Sequence, residues 1–253
     1  MYYTYDEVSI YYEIHGNGKK KMVILPGWGD TRSTFRYLID YFKNDYQIYI
    51  LDYPGFGKSS CLNQDFDIFD YAKMISSFLN DLDIKNPILL SHSFGGRIAI
   101  LLSGYHQIKI DKMIMISSAG IKPKKKLRSI FRTYLYKTLK KCKMFFPKLK
   151  REIYLKRLFN YFASSDYNAL PTNMMTTFKN IVNKDLTIYL KQMKTETLLL
   201  WGKLDEDTPL QDGLKMNELI NDSTLIVLEH CSHYVYLQDP NRMHLIIEEF
   251  IKE

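Results

Sequence analysis

The chain has 253 residues, 46% hydrophobic and 25% charged. That is enough for one large apolar core or one core with an insertion, and it excludes disordered and collagen-like classes. The net charge of +7 is uneven: fifteen Lys/Arg against one acid, Glu152, lie between Ile121 and Arg157, so that segment carries +14 and the rest −7.

The first hundred residues alternate between two periodicities. Val8–Ile14 reads as a strand, and Lys21–Leu25 as a buried strand ending at Pro26-Gly27. Thr31–Phe42 has helical spacing of Phe35, Leu38, Ile39 and Phe42. Tyr46–Leu51 is a strand ending in the breakers Asp52-Tyr53-Pro54-Gly55. A helical stripe of Ala72, Ile75, Phe78, Leu79 and Leu82 marks Phe66–Leu82. Pro87–Leu90 reads as a strand, Phe94–Tyr105 as a helix and Ile110–Ile116 as a strand.

This rhythm implies βαβ crossovers and a mostly parallel sheet flanked by helices, an α/β fold. It stops at Gly120 and resumes with Thr197–Leu200 (strand), Leu210–Ile220 (helix), Thr224–Leu228 (strand) and Arg242–Ile251 (helix). Residues 1–121 and 196–253 therefore read as one core, and 122–195 as an inserted, all-helical basic cap. The cap is expected to lie over the carboxyl edge of the sheet, where such folds bind ligands.

Loops after strands carry the chemistry. In 90-LSHSFGGRIAI-100, Ser93 stands between strand and helix, and the N–H of Phe94 points toward a developing oxyanion. In 201-WGKLDEDTP-209, Asp205 is placed to orient an imidazole, in preference to Asp207, which reads as a turn or capping residue. In 229-EHCSHYVYLQDP-240, His233 is placed to act as a general base toward Ser93. Pro26-Gly27-Trp28-Gly29 offers a second oxyanion donor, the N–H of Trp28. The strand ending in 117-SSAG-120 supplies no competing carboxylate.

These segments, in this order, resemble the α/β-hydrolase fold superfamily of the esterase/lipase-like kind with a helical cap. The matching pieces are LPGWGD (25–30), DYPGFGKSS (52–60), SHSFGG (91–96), WGKLDEDTP (201–209) and CSHYVYLQDP (231–240). The resemblance implies Ser93 as nucleophile, His233 as base, Asp205 as orienting acid, and Trp28 and Phe94 as oxyanion donors. It implies hydrolysis of a carboxylic ester through an acyl-enzyme, with thioester, amide, lactone or diketone cleavage as the alternative. A non-catalytic ligand-binding protein on this scaffold ranks behind both. A serine nucleophile excludes the branches that attack alkyl carbon with a carboxylate. Ser91 and Ser232 stand where relatives usually have glycine, which raises the question of how Ser91 fits the turn.

No cofactor or metal is expected. His230 and His233 lie in a loop without a zinc signature, and Cys61, Cys142 and Cys231 are not clustered. The run 54-PGFGKSS-60 imitates a phosphate loop but has Asp52 where glycine is required, so it reads as a turn beside the site. Three dispersed cysteines, a start without a secretory signal pattern, and apolar runs too short for a bilayer point to a cytoplasmic protein with reduced thiols. The expected partner is a small acyl substrate. Nucleic acid binding and contact with an anionic membrane through the cap both rank behind a solvated basic face. Oligomeric state is not legible.

Overall fold

The computed structural model describes residues 1–62, 65–122, 139–140, 150–155, 157 and 174–252. Its chain divides into two compact units, residues 1–122 with 183–253, and residues 123–182.

The first unit is built on an eight-stranded sheet of order β1-β2-β4-β3-β5-β6-β7-β8. The strands are β1 (Tyr2–Tyr5), β2 (Val8–His15), β3 (Lys20–Leu25), β4 (Tyr46–Leu51), β5 (Ile88–His92), β6 (Met113–Ile116), β7 (Thr197–Gly202) and β8 (Ser223–Leu228). From β3 to β8 all neighbours are parallel, whereas β1–β2 and β2–β4 are antiparallel. Burial accounts for the difference. The inner strands β5, β6 and β7 are buried at every residue and read as continuous apolar runs; β2 alternates buried and half-buried, as a strand near a sheet margin does.

β1 has no counterpart in the sequence reading. Its partner register, Tyr5 opposite Val8, leaves Asp6 and Glu7 as a two-residue turn. Both have positive φ, 44° and 66°, which is the backbone of a tight primed hairpin. No glycine marks that turn, so only the tyrosine-rich β1 itself signals a strand.

Helices cover both faces. A 3₁₀ turn (Arg32–Phe35) leads into α1 (Arg36–Phe42), where the spacing predicts one continuous helix. α2 (Ile68–Asp81) begins one residue after Asp67, which caps it reciprocally with Asp70. α3 (Phe94–Gly104) is buried along its whole length. In the second unit, α4 (Met175–Val182) is helical, as are residues 150–155. There Tyr154 donates its hydroxyl hydrogen to the carbonyl of Leu139 at 2.8 Å. Most of the residues read as a basic cap, Cys142 and Phe162 among them, lie outside the described residues.

The remaining helices are α5 (Thr187–Leu190), α6 (Leu210–Leu219), α7 (Val235–Gln238) and α8 (Pro240–Lys252). One side chain in two from β3 to β7 (Ile24, Leu90, Ile116, Leu200) joins Phe42, Tyr236 and Ile247 in one core layer. Residues 183–195, read as the end of the insertion because no strand appears before Thr197, pack in the first unit. Leu186, Leu190 and Met193 are buried, Leu186 N–H donates to Gly120 O, and Tyr189 O lies where a side chain on Gly104 would stand. Three lysines in that stretch mask its apolar spacing.

Because β3 to β8 run one way, the loops after β3, β5, β7 and β8 meet at one carboxyl edge. The chain leaves β3 toward β4 on one side and returns to β5 on the other, so a crevice is expected there.

Asp67→Ala removes the α2 cap and is expected to lower the unfolding free energy by about 1 kcal/mol, measured by urea denaturation.

Candidate active site

β5 passes into α3 through a single residue. Ser93 has φ 48° and ψ −111°, a conformation that costs an L-residue free energy unless its surroundings enforce it. They do so through three hydrogen bonds: Ser93 N–H donates to Ile116 O at 3.1 Å, and Ser93 O accepts from Gly96 N–H at 3.0 Å and Ala119 N–H at 2.9 Å. Gly95 must be glycine, since a Cβ there would lie 2.1 Å from Leu25 O. Ser93 is partly exposed between buried His92 and Phe94. Ser91 belongs to β5. Its buried hydroxyl donates to Ile114 O at 3.3 Å, so the extra polar group is satisfied by β6.

An acid–imidazole pair stands on the loops after β7 and β8. Asp205 Oδ2 is 2.9 Å from His233 Nδ1. Its Oδ1 accepts from the backbone N–H of Asp207 and of Thr208, both at 2.9 Å. The Thr208 hydroxyl lies 2.9 Å from both Asp205 Oδ2 and Ser117 O, and Trp201 Nε1–H donates to Thr208 O at 2.8 Å. Burial pushes the Asp205 carboxyl up. The hydrogen bond and charge of His233, with the two donors of Thr208, outweigh that and hold it below the ordinary carboxylate range. Asp207 is exposed and supports Asp205 through its backbone.

Asp205, Asp207 and His233 present potential metal-ligand atoms within 4.8 Å of one another. Asp205 and His233 already bond each other there, and His230, the other half of the imagined metal pair, is exposed and lies outside that group.

The loop after β3 completes the edge. Gly29 takes φ 78°, and the Trp28 ring meets the Phe94 ring edge to face at 5.0 Å. The two candidate oxyanion residues therefore pack on each other. Phe94 is the first residue of α3, so its N–H has no intrahelical acceptor.

A second acid–imidazole pair was not legible in the sequence. Asp30 Oδ2 is 2.9 Å from His92 Nδ1 and accepts from Gly27 N–H at 3.1 Å. The Tyr234 hydroxyl donates to Asp30 Oδ1 at 3.3 Å. His92 Nε2 is 3.2 Å from the main-chain oxygen of His233, and the two imidazole rings are 4.7 Å apart. Burial lowers the pKa of His92, although its bond to Asp30 works the other way. His233 is thus brought beside the residue that precedes Ser93. Among the described residues no hydrogen bond joins His233 to the Ser93 hydroxyl; such catalytic bonds commonly tighten only with substrate.

The segment 54–60 is a loop tied to β2, not the start of a helix. Ser59 and Ser60 hydroxyls accept from Tyr11 and Ser9 N–H, and Lys58 N–H donates to Asp52. Phe56 from this loop packs on Trp28 at 5.0 Å.

Two outcomes follow for the turn. Gly95→Ala should lower the unfolding free energy by about 1–3 kcal/mol in urea titrations. Ser91→Gly, which removes one 3.3 Å hydrogen bond, should change turnover by less than about tenfold.

For the acid, stabilisation by ionised Asp205 is complete above the ordinary value of 3.8 and is lost as the pH falls through its lower folded-state value. Asp205→Asn should remove that component of acid destabilisation, read from urea midpoints across the acid range.

Comparison with known proteins identifies the family. The chain is 27% identical over 261 residues to a pimeloyl-[acyl-carrier protein] methyl ester esterase of Wigglesworthia glossinidia brevipalpis, covering 96% of this chain and 98% of that one. It is 24% identical over 265 residues to 2-hydroxy-6-oxononadienedioate/2-hydroxy-6-oxononatrienedioate hydrolase 1 of Pseudomonas putida, covering 97% and 92%. The solved structure of an esterase from Exiguobacterium antarcticum shares the fold with a TM-score of 0.75 at 23% identity, covering 98% and 97%. The family model for the alpha/beta hydrolase fold matches residues 20–240, and the chain belongs to that family of hydrolases.

Proposed function

We propose that the chain is a serine hydrolase of carboxylic esters. The observation that carries this reading is the Asp205–His233 pair at 2.9 Å on the same sheet edge as the strained turn of Ser93. His233 Nε2 takes the Ser93 hydroxyl proton as Oγ attacks the ester carbonyl. Asp205 fixes the tautomer by accepting from Nδ1–H and stabilises the imidazolium. The N–H groups of Trp28 and Phe94 receive the oxyanion. As the tetrahedral intermediate collapses, the imidazolium proton passes to the leaving alcohol and an acyl-Ser93 remains. Water, deprotonated by His233, then releases the acid and restores the serine.

A second reading is favoured by the Pseudomonas putida relative. The compound in that relative's name carries a ketone and no ester, so its hydrolysis breaks a carbon–carbon bond beside a carbonyl. The same three side chains serve both reactions, because each passes through a serine-bound tetrahedral carbon.

Purified protein should hydrolyse p-nitrophenyl acetate or butyrate, and Ser93→Ala should lower kcat by more than about a thousandfold. A fluorophosphonate probe should label Ser93. Labelling with inertness to esters and turnover of a 2-hydroxy-6-oxo-dienoate would replace the first reading by the second. Failure of folded protein to label would overturn both.

A further inference from the structure

Asp30 and His92 have no part in the steps above, yet they bridge the loops after β3, β5 and β8. Their hydrogen-bonding chemistry is constrained. The main-chain oxygen of His233 can only accept, so His92 Nε2, at 3.2 Å, carries a proton and donates it. His92 Nδ1 is 2.9 Å from Asp30 Oδ2, a separation at which bare lone pairs repel, so a proton lies between them.

We propose that His92, held by Asp30, is a positioning residue for His233: its Nε2–H grips the His233 main-chain oxygen and sets the imidazole beside Ser93. The proposal rests on the triad reading. His233 is then held at two places, through Nδ1 by Asp205 on the β7 side and through its carbonyl by His92 on the β5 side. Ring atom Nε2 is left to face the serine. Because His92 is bonded directly to Ser93 in the chain, one residue registers base to nucleophile.

The surroundings suit a fixed ring. His92 is fully buried. The groups facing it are Phe35 from the 3₁₀ turn, Asp30 from the loop after β3, and His233, Tyr234 and Tyr236 from the segment after β8.

The test compares His92→Phe, Asp30→Ala and Asp30→Asn with the wild type. It measures kcat and KM for a p-nitrophenyl ester across pH, and the proton resonance of His233 Nδ1–H. His92→Phe keeps an aromatic ring and removes both bonds; kcat should fall about tenfold or more at unchanged KM, with the His233 resonance displaced. Asp30→Ala should act in the same direction. Asp30→Asn should give a kcat between those of Asp30→Ala and the wild type, because an amide N–H placed at His92 Nδ1 also faces the Gly27 N–H.

An unmoved His233 resonance in His92→Phe overturns the proposal, whether or not kcat falls. Should His92→Phe fail to fold, equal activity and an unmoved resonance in Asp30→Ala and Asp30→Asn overturn it. Retention of ester hydrolysis in Ser93→Ala would instead overturn the triad reading, and the His233 resonance would still show whether His92 holds that residue.

Discussion

The passage from β5 to α3 in one residue places the tightest demand on this fold. A strand that reverses into a helix without a loop brings the first helical turn against the end of the neighbouring strand. Leu25 O therefore occupies the space of a Gly95 side chain, and the Ser118 side chain occupies that of Gly96. The turn is bonded from β6 and from the segment after it, so its geometry depends on sheet order. α3 is in turn largely apolar, since it is buried between the sheet and α2 and α5; its buried Arg97 and Ser103 bond Lys184 O and the Thr195 hydroxyl.

Around that turn the molecule separates polar work from apolar enclosure. The two acid–imidazole pairs and Thr208 form a connected set in which nearly every buried group has a partner. Behind Phe94, Tyr53 and Tyr71 pack edge to face on its ring at 5.1 and 5.2 Å. Both phenols are buried without a hydrogen-bond partner among the described residues. Each such group costs about 1–3 kcal/mol. Their rings cover Phe94 on the side away from the turn, and an apolar surround of that kind lowers the local dielectric and strengthens hydrogen bonds nearby.

Much of this was legible in the sequence, for physical reasons. The inner strands are buried on both faces, so Met22–Leu25, Ile88–Leu90 and Leu198–Trp201 stand out as apolar runs. Asp205 was legible because it follows such a run, Leu198–Trp201, by a short turn, and His233 because it follows the last strand of the alternation, β8. Asp30 and His92 were not, because one closes a glycine loop and the other stands between two serines at the end of β5. Their pairing spans 62 residues, and nothing in local periodicity carries that information. β1 escaped notice because Asp6 and Glu7 turn the chain without glycine.

The contacts of the site also tie together distant parts of the chain. His92 meets a residue 141 positions later, and Tyr234 reaches back 204 positions to Asp30. Such closures come late in assembly, because the entropy of joining remote segments must be overcome first. The segment that supplies His233 follows Ser93 by 140 positions. A chain folded only as far as β6 and the segment after it would hold the Ser93 turn, which is bonded from Ile116 and Ala119, with neither Asp205 nor His233 beside it. The contact of His233 with His92 therefore forms only once the sheet edge from β3 to β8 is complete, which makes the state of that imidazole a reporter of completed folding.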